Sequence, residues 1–269
     1  MNNCICIICH RPNDVWLNFL NTFQKYDVYM IVDDNSINYS EHYSSYEKIK
    51  FIQIKDEDCD KSGIKNMSFL MKKHINGWDK SIYYFSTVNT SYDNVWFIED
   101  DVFFYNEDTI INIDNKYTDG DLLSTTVTEH RTHNMYEPGY DWGWWWHFIN
   151  IDIPLPYHRG MVCVVRMSPA LLCKIKEYAT THNTLFFLEA MFPILCKKND
   201  LIHRVVEDLQ YIIFRRDYTI EDIDKTHMYH PVKDINHHIF YRNELAREDA
   251  IEMGIKMMAF LGANLNINC

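Results

Sequence analysis

The 269-residue sequence predicts an α/β fold, a mostly parallel central sheet joined by crossover helices, on three observations. Short β-prone runs alternate with helical patterns through the N-terminal half, as they do wherever strand–helix–strand units repeat. Two acidic clusters, Asp33-Asp34 and Glu99-Asp100-Asp101, follow directly on such runs, and the carboxyl edge of an open α/β sheet is where ligands bind. No internal repeat or low-complexity linker interrupts the chain, so one domain over residues 1–269 is expected.

The first strand covers residues 5–8. The chain turns at Arg11-Pro12-Asn13-Asp14, where Asn13 or Asp14 can cap a helix whose apolar face is Val15, Phe19, Leu20 and Phe23. Residues 28–32 form the second strand and 51–54 the third, followed by a polar turn and a helix over 66–73. A further helix over 79–85 leads to a strand at 95–98, which runs straight into Glu99. Beyond it the pattern is less regular. A run at 122–127 precedes a polar segment holding His130 and His133, then the aromatic tract 140–148 and a strand at 161–165. Ser168-Pro169 makes an N-cap and N1 pair for a helix carrying Leu171, Leu172, Ile175 and Tyr178. A helix over 185–196 should end or kink at Pro193, and a last helix over 244–261 should stop at Gly262.

The bulk properties narrow the function. With 47% hydrophobic residues the chain can bury a large core, and a formal net charge of -12 argues against a protein that grips a phosphate backbone, because that binding needs Lys and Arg. No nucleic-acid partner is expected. The eight cysteines are scattered and read as free, largely buried thiols. Cys4-x-Cys6-x-x-Cys9-His10 has a zinc-like look, but no second pair completes a tetrahedral site. The apolar stretch after Met1 is too short for a secretory signal, and no run reaches the ~20 apolar residues of a bilayer span. A cytoplasmic protein without a membrane span is the expectation.

Three consecutive carboxylates at a strand end repel one another unless a cation or hydrogen-bond donors compensate. A hard divalent ion does so through oxygen ligands and completes its shell with substrate phosphates. A solvated acidic turn is the other reading. Here the sequence resembles a known family. Ile31-Val32-Asp33-Asp34-Asn35-Ser36 looks like the nucleotide-binding strand end of GT-A glycosyltransferases, and Trp96-Phe97-Ile98-Glu99-Asp100-Asp101-Val102 looks like their DxD-type motif in its Glu-Asp-Asp form. Gly63-Ile64-Lys65-Asn66, leading into a helix, lies between them, and the likeness covers roughly the first hundred residues.

The resemblance implies the GT-A fold, a mixed, mostly parallel sheet with helices on both faces, in which residues 1–105 bind the nucleotide-sugar and 106–269 the acceptor. It implies that Asp33 or Asp34 recognises the base or ribose and that Asp100 lies near the ribose and sugar. Asp101 would bind Mn2+ or Mg2+ directly, and Glu99 would support the site. Taken alone, Asp33-Asp34-Asn35-Ser36 reads equally well as an Asx-type turn.

A carboxylate in reach of the acceptor hydroxyl can take its proton, as inversion at the anomeric carbon requires. Glu189, a lone charge in the apolar stretch 186–193, is the first candidate, since burial raises its pKa. The stretch is similar to the helix that presents the base in some inverting GT-A enzymes; Asp208 and Glu207 are its rivals. Arg159-Gly160 offers a fork of donors and a close backbone approach for a phosphate or acceptor. GT-A enzymes often complete the cation site with a C-terminal His, which points to His230, with His237 and His238 as alternatives and Lys233 for the diphosphate. The cluster Tyr140-Asp141-Trp142-Gly143-Trp144-Trp145-Trp146 suits sugar rings, and one or two of its rings should face the acceptor. His130-x-x-His133 lacks a third ligand and reads as loop histidines.

The expected reaction is transfer of a sugar from a nucleoside-diphosphate donor, UDP-linked, to a hydroxyl of a glycan or other acceptor. Two other readings stand beside it. A sugar-phosphate nucleotidyltransferase would also need carboxylates and a cation, but no Gly-rich basic loop follows the first strand. A non-catalytic carbohydrate-binding protein would rely on the Trp cluster.

Overall fold

The computed structural model describes residues 2–68, 74–140 and 153–265, the last stretch with side chains as far as 257. In chain order it opens with β1 (Asn3–Cys9), α1 (Asp14–Leu20), β2 (Asp27–Val32), α2 (Tyr39–His42), β3 (Ile49–Ile52), α3 (Asp56–Ser62), α4 (Gly77–Tyr83) and β4 (Asn94–Glu99). Then come α5 (Glu107–Lys116), β5 (Leu122–Ser124), β6 (Thr128–His130), β7 (Tyr157–Arg159), β8 (Val164–Met167), α6 (Pro169–His182) and α7 (Leu188–Lys198). The chain continues through β9 (His203–Val205), β10 (Tyr211–Ile212), β11 (Tyr229–His230) and α8 (Ile235–Leu265).

Among the described residues a seven-stranded sheet forms in the order β3-β2-β1-β4-β8-β5-β9. All seven residues of β1 are buried, as befits a central parallel strand covered on both faces. It pairs in parallel with β2 and β4, and β2 with β3. β8 runs antiparallel to β4 and β5, while β5 and β9 are parallel, so the sheet is mixed. Strand alternation divides the core. Cys4, Cys6 and Ile8 pack with residues of α4, α6 and α7 on one face; Ile5, Ile7 and Cys9 pack with residues of α1 and α5 on the other. The fold is the mostly parallel α/β sheet with helices on both faces. It also sets Cys9 on the opposite face from Cys4 and Cys6, which removes them as a shared zinc site. A third cluster joins Phe103, Tyr218 and Tyr229 to Tyr241 and Leu245 of α8.

Several sequence expectations need correction. Asn13 caps α1 by accepting from the Trp16 N–H, and this start buries Trp16 and Leu17 beside the expected Leu20 and Phe23, with Phe19 packed partly buried against them and Val15 only half-buried. The stretch read as a polar turn is α3, whose first turn carries Asp56, Glu57 and Asp58, where acidic side chains favour a helix. A helix cannot start at Asn66, which has a left-handed φ of 74°, and residues 69–73 lie outside the described ones. α7 begins at Leu188 because the Leu185 and Leu188 N–H groups are bonded to the carbonyls of Lys65 and Met67, and Pro193 sits inside it without ending it. α8 starts earlier than expected, where Asp234 accepts the Asn236 N–H, and it runs through Gly262, whose cost of ~1 kcal/mol does not stop it. No helix among the described residues is long and apolar enough to cross a membrane.

Candidate active site

Three strand ends form the floor. Cys9 is level with Val32 and Ile8 with Glu99, so His10, Asp33 and Asp100 leave the sheet at one edge. Strands β2 and β3 lie on one side of β1 and β4 on the other, which makes this edge a topological switch point, where α/β sheets leave a crevice. A cleft of about 450 Å³ lies there, lined by Cys9, Asp33, Trp78, Glu99, Asp100 and Asp101 among others.

The first turn of α4 walls the cleft, and it needs Gly77: a Cβ there would meet Ile8 Cγ2 at 2.7 Å. Asn76 caps this helix. Asp79, fully buried, accepts from the backbone N–H groups of Met67 at 3.2 Å and Asn76 at 3.0 Å. Burial pushes its carboxyl up to about 7, against those hydrogen bonds.

The two acidic residues after β2 take different roles. Asp34 is a turn residue, accepting from the Tyr39 hydroxyl at 2.7 Å, the Ser36 hydroxyl at 2.8 Å, the Ser36 N–H at 2.9 Å and Arg11 Nε at 2.7 Å. These bonds, Tyr39 first, hold its pKa well below the carboxylate range. Asp33 lines the cleft. Its Oδ1 lies 2.7 Å from Lys80 Nζ, a buried ammonium that also meets Asp56 at 2.8 Å.

At the end of β4 burial and like charge act together. Burial, then Asp101 and Glu99, push Asp100 up to about 6. Burial also raises Glu99, opposed by the Trp78 Nε1–H that donates to its Oε1. His230 is brought in by a short antiparallel bridge. Phe103 and Tyr229 exchange backbone hydrogen bonds of 2.9 Å, and the Val232 N–H donates to the Asp101 carbonyl at 2.7 Å. The His230 Nδ1–H donates to the Ile213 carbonyl at 2.7 Å, since a carbonyl can only accept, and this turns Nε2 toward the acids. Nε2 lies 3.4 Å from Asp101 Oδ1 and 3.9 Å from Glu99 Oε2. Burial opposes protonation of His230, but Asp101, the Ile213 carbonyl and Glu99 outweigh it and raise its pKa.

These residues fit a divalent cation. Asp101 Oδ1 is buried with His230 Nε2 3.4 Å away, and the Nδ1–H bond to Ile213 aims that nitrogen at the acids, where a cation could take the place of its proton. Glu99, Cys163 and His230 also offer donor atoms within 4.8 Å of one another.

Glu189 approaches from α7. Pro193 has no N–H to give the carbonyl four residues earlier, and that carbonyl, of Glu189, accepts instead from the Gly160 N–H at 3.0 Å. The bond ties the end of β7 to the first turn of α7. Gly160 is required, since a Cβ would stand 2.9 Å from the Thr126 carbonyl oxygen. Burial pushes the Glu189 carboxyl up to about 7; Arg159 and His230 lower it and Glu99 raises it, so its charge is felt at the end of β4 and at His230.

Other expected residues lie elsewhere. Asp208 is bound to Lys116 at 3.0 Å, with Glu207 3.8 Å from the same ammonium, and neither lines the cleft. Lys233 lines a second cavity of about 750 Å³ with Arg215, Arg216 and His237. His238 is buried, its Nε2–H donating to the Val232 carbonyl at 2.8 Å, and burial drops its pKa to about 4. His130 is a buried strand residue rather than a loop histidine, 3.1 Å from His133. Of the aromatic cluster, residues 141–146 lie outside the described ones. Sequence reasoning missed Trp78, Asp79, Lys80 and Cys163. Lys80 alone carried a signal, as a lysine placed between the apolar Trp78 and Ile82.

No protein family and no curated protein matches the chain. Among solved structures it is similar to 4-diphosphocytidyl-2C-methyl-D-erythritol synthase from Anaerococcus prevotii, with a TM-score of 0.45 and 9% identity over 91% of this chain and 95% of that one. It is also similar to mouse xyloside xylosyltransferase 1 in its apo form, with a TM-score of 0.37 and 9% identity over 76% of this chain and 85% of that one. Both likenesses are distant, so the chemistry rests on the residues of the cleft.

Proposed function

We propose that the chain is a divalent-cation-dependent glycosyltransferase, moving a sugar from a nucleoside-diphosphate donor, UDP-linked, to a hydroxyl of a glycan or other acceptor. The observation that carries this reading is the meeting of Asp101 and His230 at the switch point, a buried carboxylate oxygen 3.4 Å from an imidazole nitrogen that the Ile213 carbonyl holds in place from the other side of the ring. Asp101 and His230 would hold Mn2+ or Mg2+. When bound, the ion offsets the charge on the departing diphosphate.

The chain's own groups do the rest. Asp33, fixed by Lys80, accepts hydrogen bonds from the base or ribose, and Asp100 accepts from ribose and sugar hydroxyls. The acceptor oxygen bonds to the anomeric carbon as the bond to the diphosphate breaks, and Glu189 takes the acceptor proton. A carboxyl pushed up to about 7 is well matched to that task near neutral pH. Arg159, beside Glu189, keeps it partly ionised.

A panel of nucleotide-sugars, each with and without Mn2+, tests the reading. One donor should raise the melting temperature and release a nucleoside diphosphate only with the cation, and Asp101→Ala should abolish both effects. Pyrophosphate released from UTP and a sugar phosphate would instead assign a nucleotidyltransferase. No response to any donor, with and without Mn2+, would overturn the proposal.

A further inference from the structure

The described cysteines other than Cys173 are buried, but Cys163 differs from the rest in its company. The pairing of Ile98 with Val164 sets Cys163 opposite Glu99, and the Glu99 N–H donates to the Cys163 carbonyl at 2.9 Å. Residues directly opposite in an antiparallel pair send their side chains to the same face. Sγ therefore stands beside the Glu99 carboxylate, and these two and a His230 ring nitrogen lie within 4.8 Å of one another.

We propose that Cys163 is a ligand of the cation site, so that the site takes a thiophilic divalent ion: Mn2+ ahead of Mg2+, and Co2+ or Zn2+ ahead of both. The proposal rests on the cation site put forward above and goes beyond it in naming the ion class and the residue that selects it.

Three features support it. An ion bonded at about 2.0–2.3 Å to nitrogen, oxygen and sulfur sets its donors about 3.3–3.8 Å apart. The separation of 3.9 Å between Glu99 Oε2 and His230 Nε2 is already near that range, and the thiol has only a short way to move. The donors are also held from behind, Glu99 by Trp78 Nε1 and His230 by the Ile213 carbonyl, the outer support that orients metal ligands. Finally, a mixed nitrogen, oxygen and sulfur set discriminates by softness: Mg2+ demands oxygen and keeps its waters, whereas thiolate favours the later ions. On binding, the thiol gives its proton to water and the sulfur bonds to the ion.

Titration of the nucleotide-free protein with Co2+ reads the sulfur bond directly, without activity. The wild type should develop a saturable sulfur-to-cobalt charge-transfer band in the near ultraviolet. Cys163→Ser should lose that band while keeping the visible cobalt bands, and should bind Co2+ on the order of 10–100-fold more weakly, with an unchanged circular dichroism spectrum as the check on folding. Cys9→Ser, altering the cysteine that lines the cleft, should keep the band. Visible cobalt bands with no sulfur band, or a sulfur band that survives in Cys163→Ser, would overturn the proposal and leave an oxygen and nitrogen site standing. Failure to bind Co2+ at all would overturn the cation site itself and this proposal with it.

Discussion

Asp100 lines the cleft, Glu189 lies close enough to Glu99 and His230 to feel their charge, and the two are positioned by different routes. Asp100 follows from a parallel ladder: β4 is in register with β1 over six residue pairs, and its end delivers the acidic triplet to the switch point. Glu189 comes from the first turn of α7, and Arg159 and His230 from strands of three and two residues, tied to the sheet edge by a few long-range bonds, among them Gly160 to the Glu189 carbonyl, Val232 to the Asp101 carbonyl and the Phe103–Tyr229 exchange. A ladder spreads any positional error over many bonds. A segment hung on a few of them passes the whole error to the side chain it carries. The donor side should thus respond to loss of chemistry, and the acceptor side also to small shifts of backbone.

The largest expected effect lies on the ladder side. Asp101→Asn keeps the size and removes the charge, and cation-dependent kcat should fall by about 10³-fold or more. A loss below tenfold would take Asp101 out of the site. Next, Glu189→Gln should lower kcat by roughly 10²–10³-fold and flatten its pH profile. In the wild type kcat should drop as pH falls below about 7, because the base becomes protonated. The sign for stability is opposite. The folded pKa of Glu189 is raised from 4.5 to about 7, so its contribution is full below pH 4.5 and lost as pH rises through 7. At pH 8 the Gln variant should therefore be more stable than the wild type by ~1–3 kcal/mol, with little difference at pH 4. Denaturant melts at both pH values check this.

Smaller effects sharpen the contrast. Lys80→Met leaves Asp33 without its buried ammonium, and the part-exposed Asp56 lowers the cost to about 2–3 kcal/mol. Donor KM should rise with kcat nearly kept, the mark of a group that positions a donor contact. Gly160→Ala forces a shift of a few tenths of an ångström against Thr126, and kcat should fall about three- to tenfold with stability lowered by ~1 kcal/mol. Equal tolerance of Gly160→Ala and a conservative change inside β1, such as Ile7→Val, would break the comparison.

The same contrast explains what could be read from the sequence. Strands β1, β2 and β4 announce themselves by unbroken apolar runs, and acids at their ends need no tertiary information to be noticed. Asp34 shows the limit of that signal. It matches the motif as well as Asp33 does, yet Arg11, Ser36 and Tyr39 claim its carboxylate for a turn. Cys163 gave no signal, since a thiol beside Val162 and Val164 looks like core and the antiparallel register that sets it opposite Glu99 is not written in either strand alone. Pro193 looks like a helix breaker because the missing hydrogen bond is visible in the sequence, whereas the Gly160 N–H that makes it good is not.

The small core of Phe103, Tyr218, Tyr229, Tyr241 and Leu245 has a practical consequence. It clamps the Phe103–Tyr229 bridge against α8, far along the chain from the acidic triplet that the bridge completes. A chain trimmed just before Tyr241 would keep every residue named in the cleft. It should still lose His230 from the acids, so boundaries chosen by motif alone would yield a protein with the whole signature and no cation site.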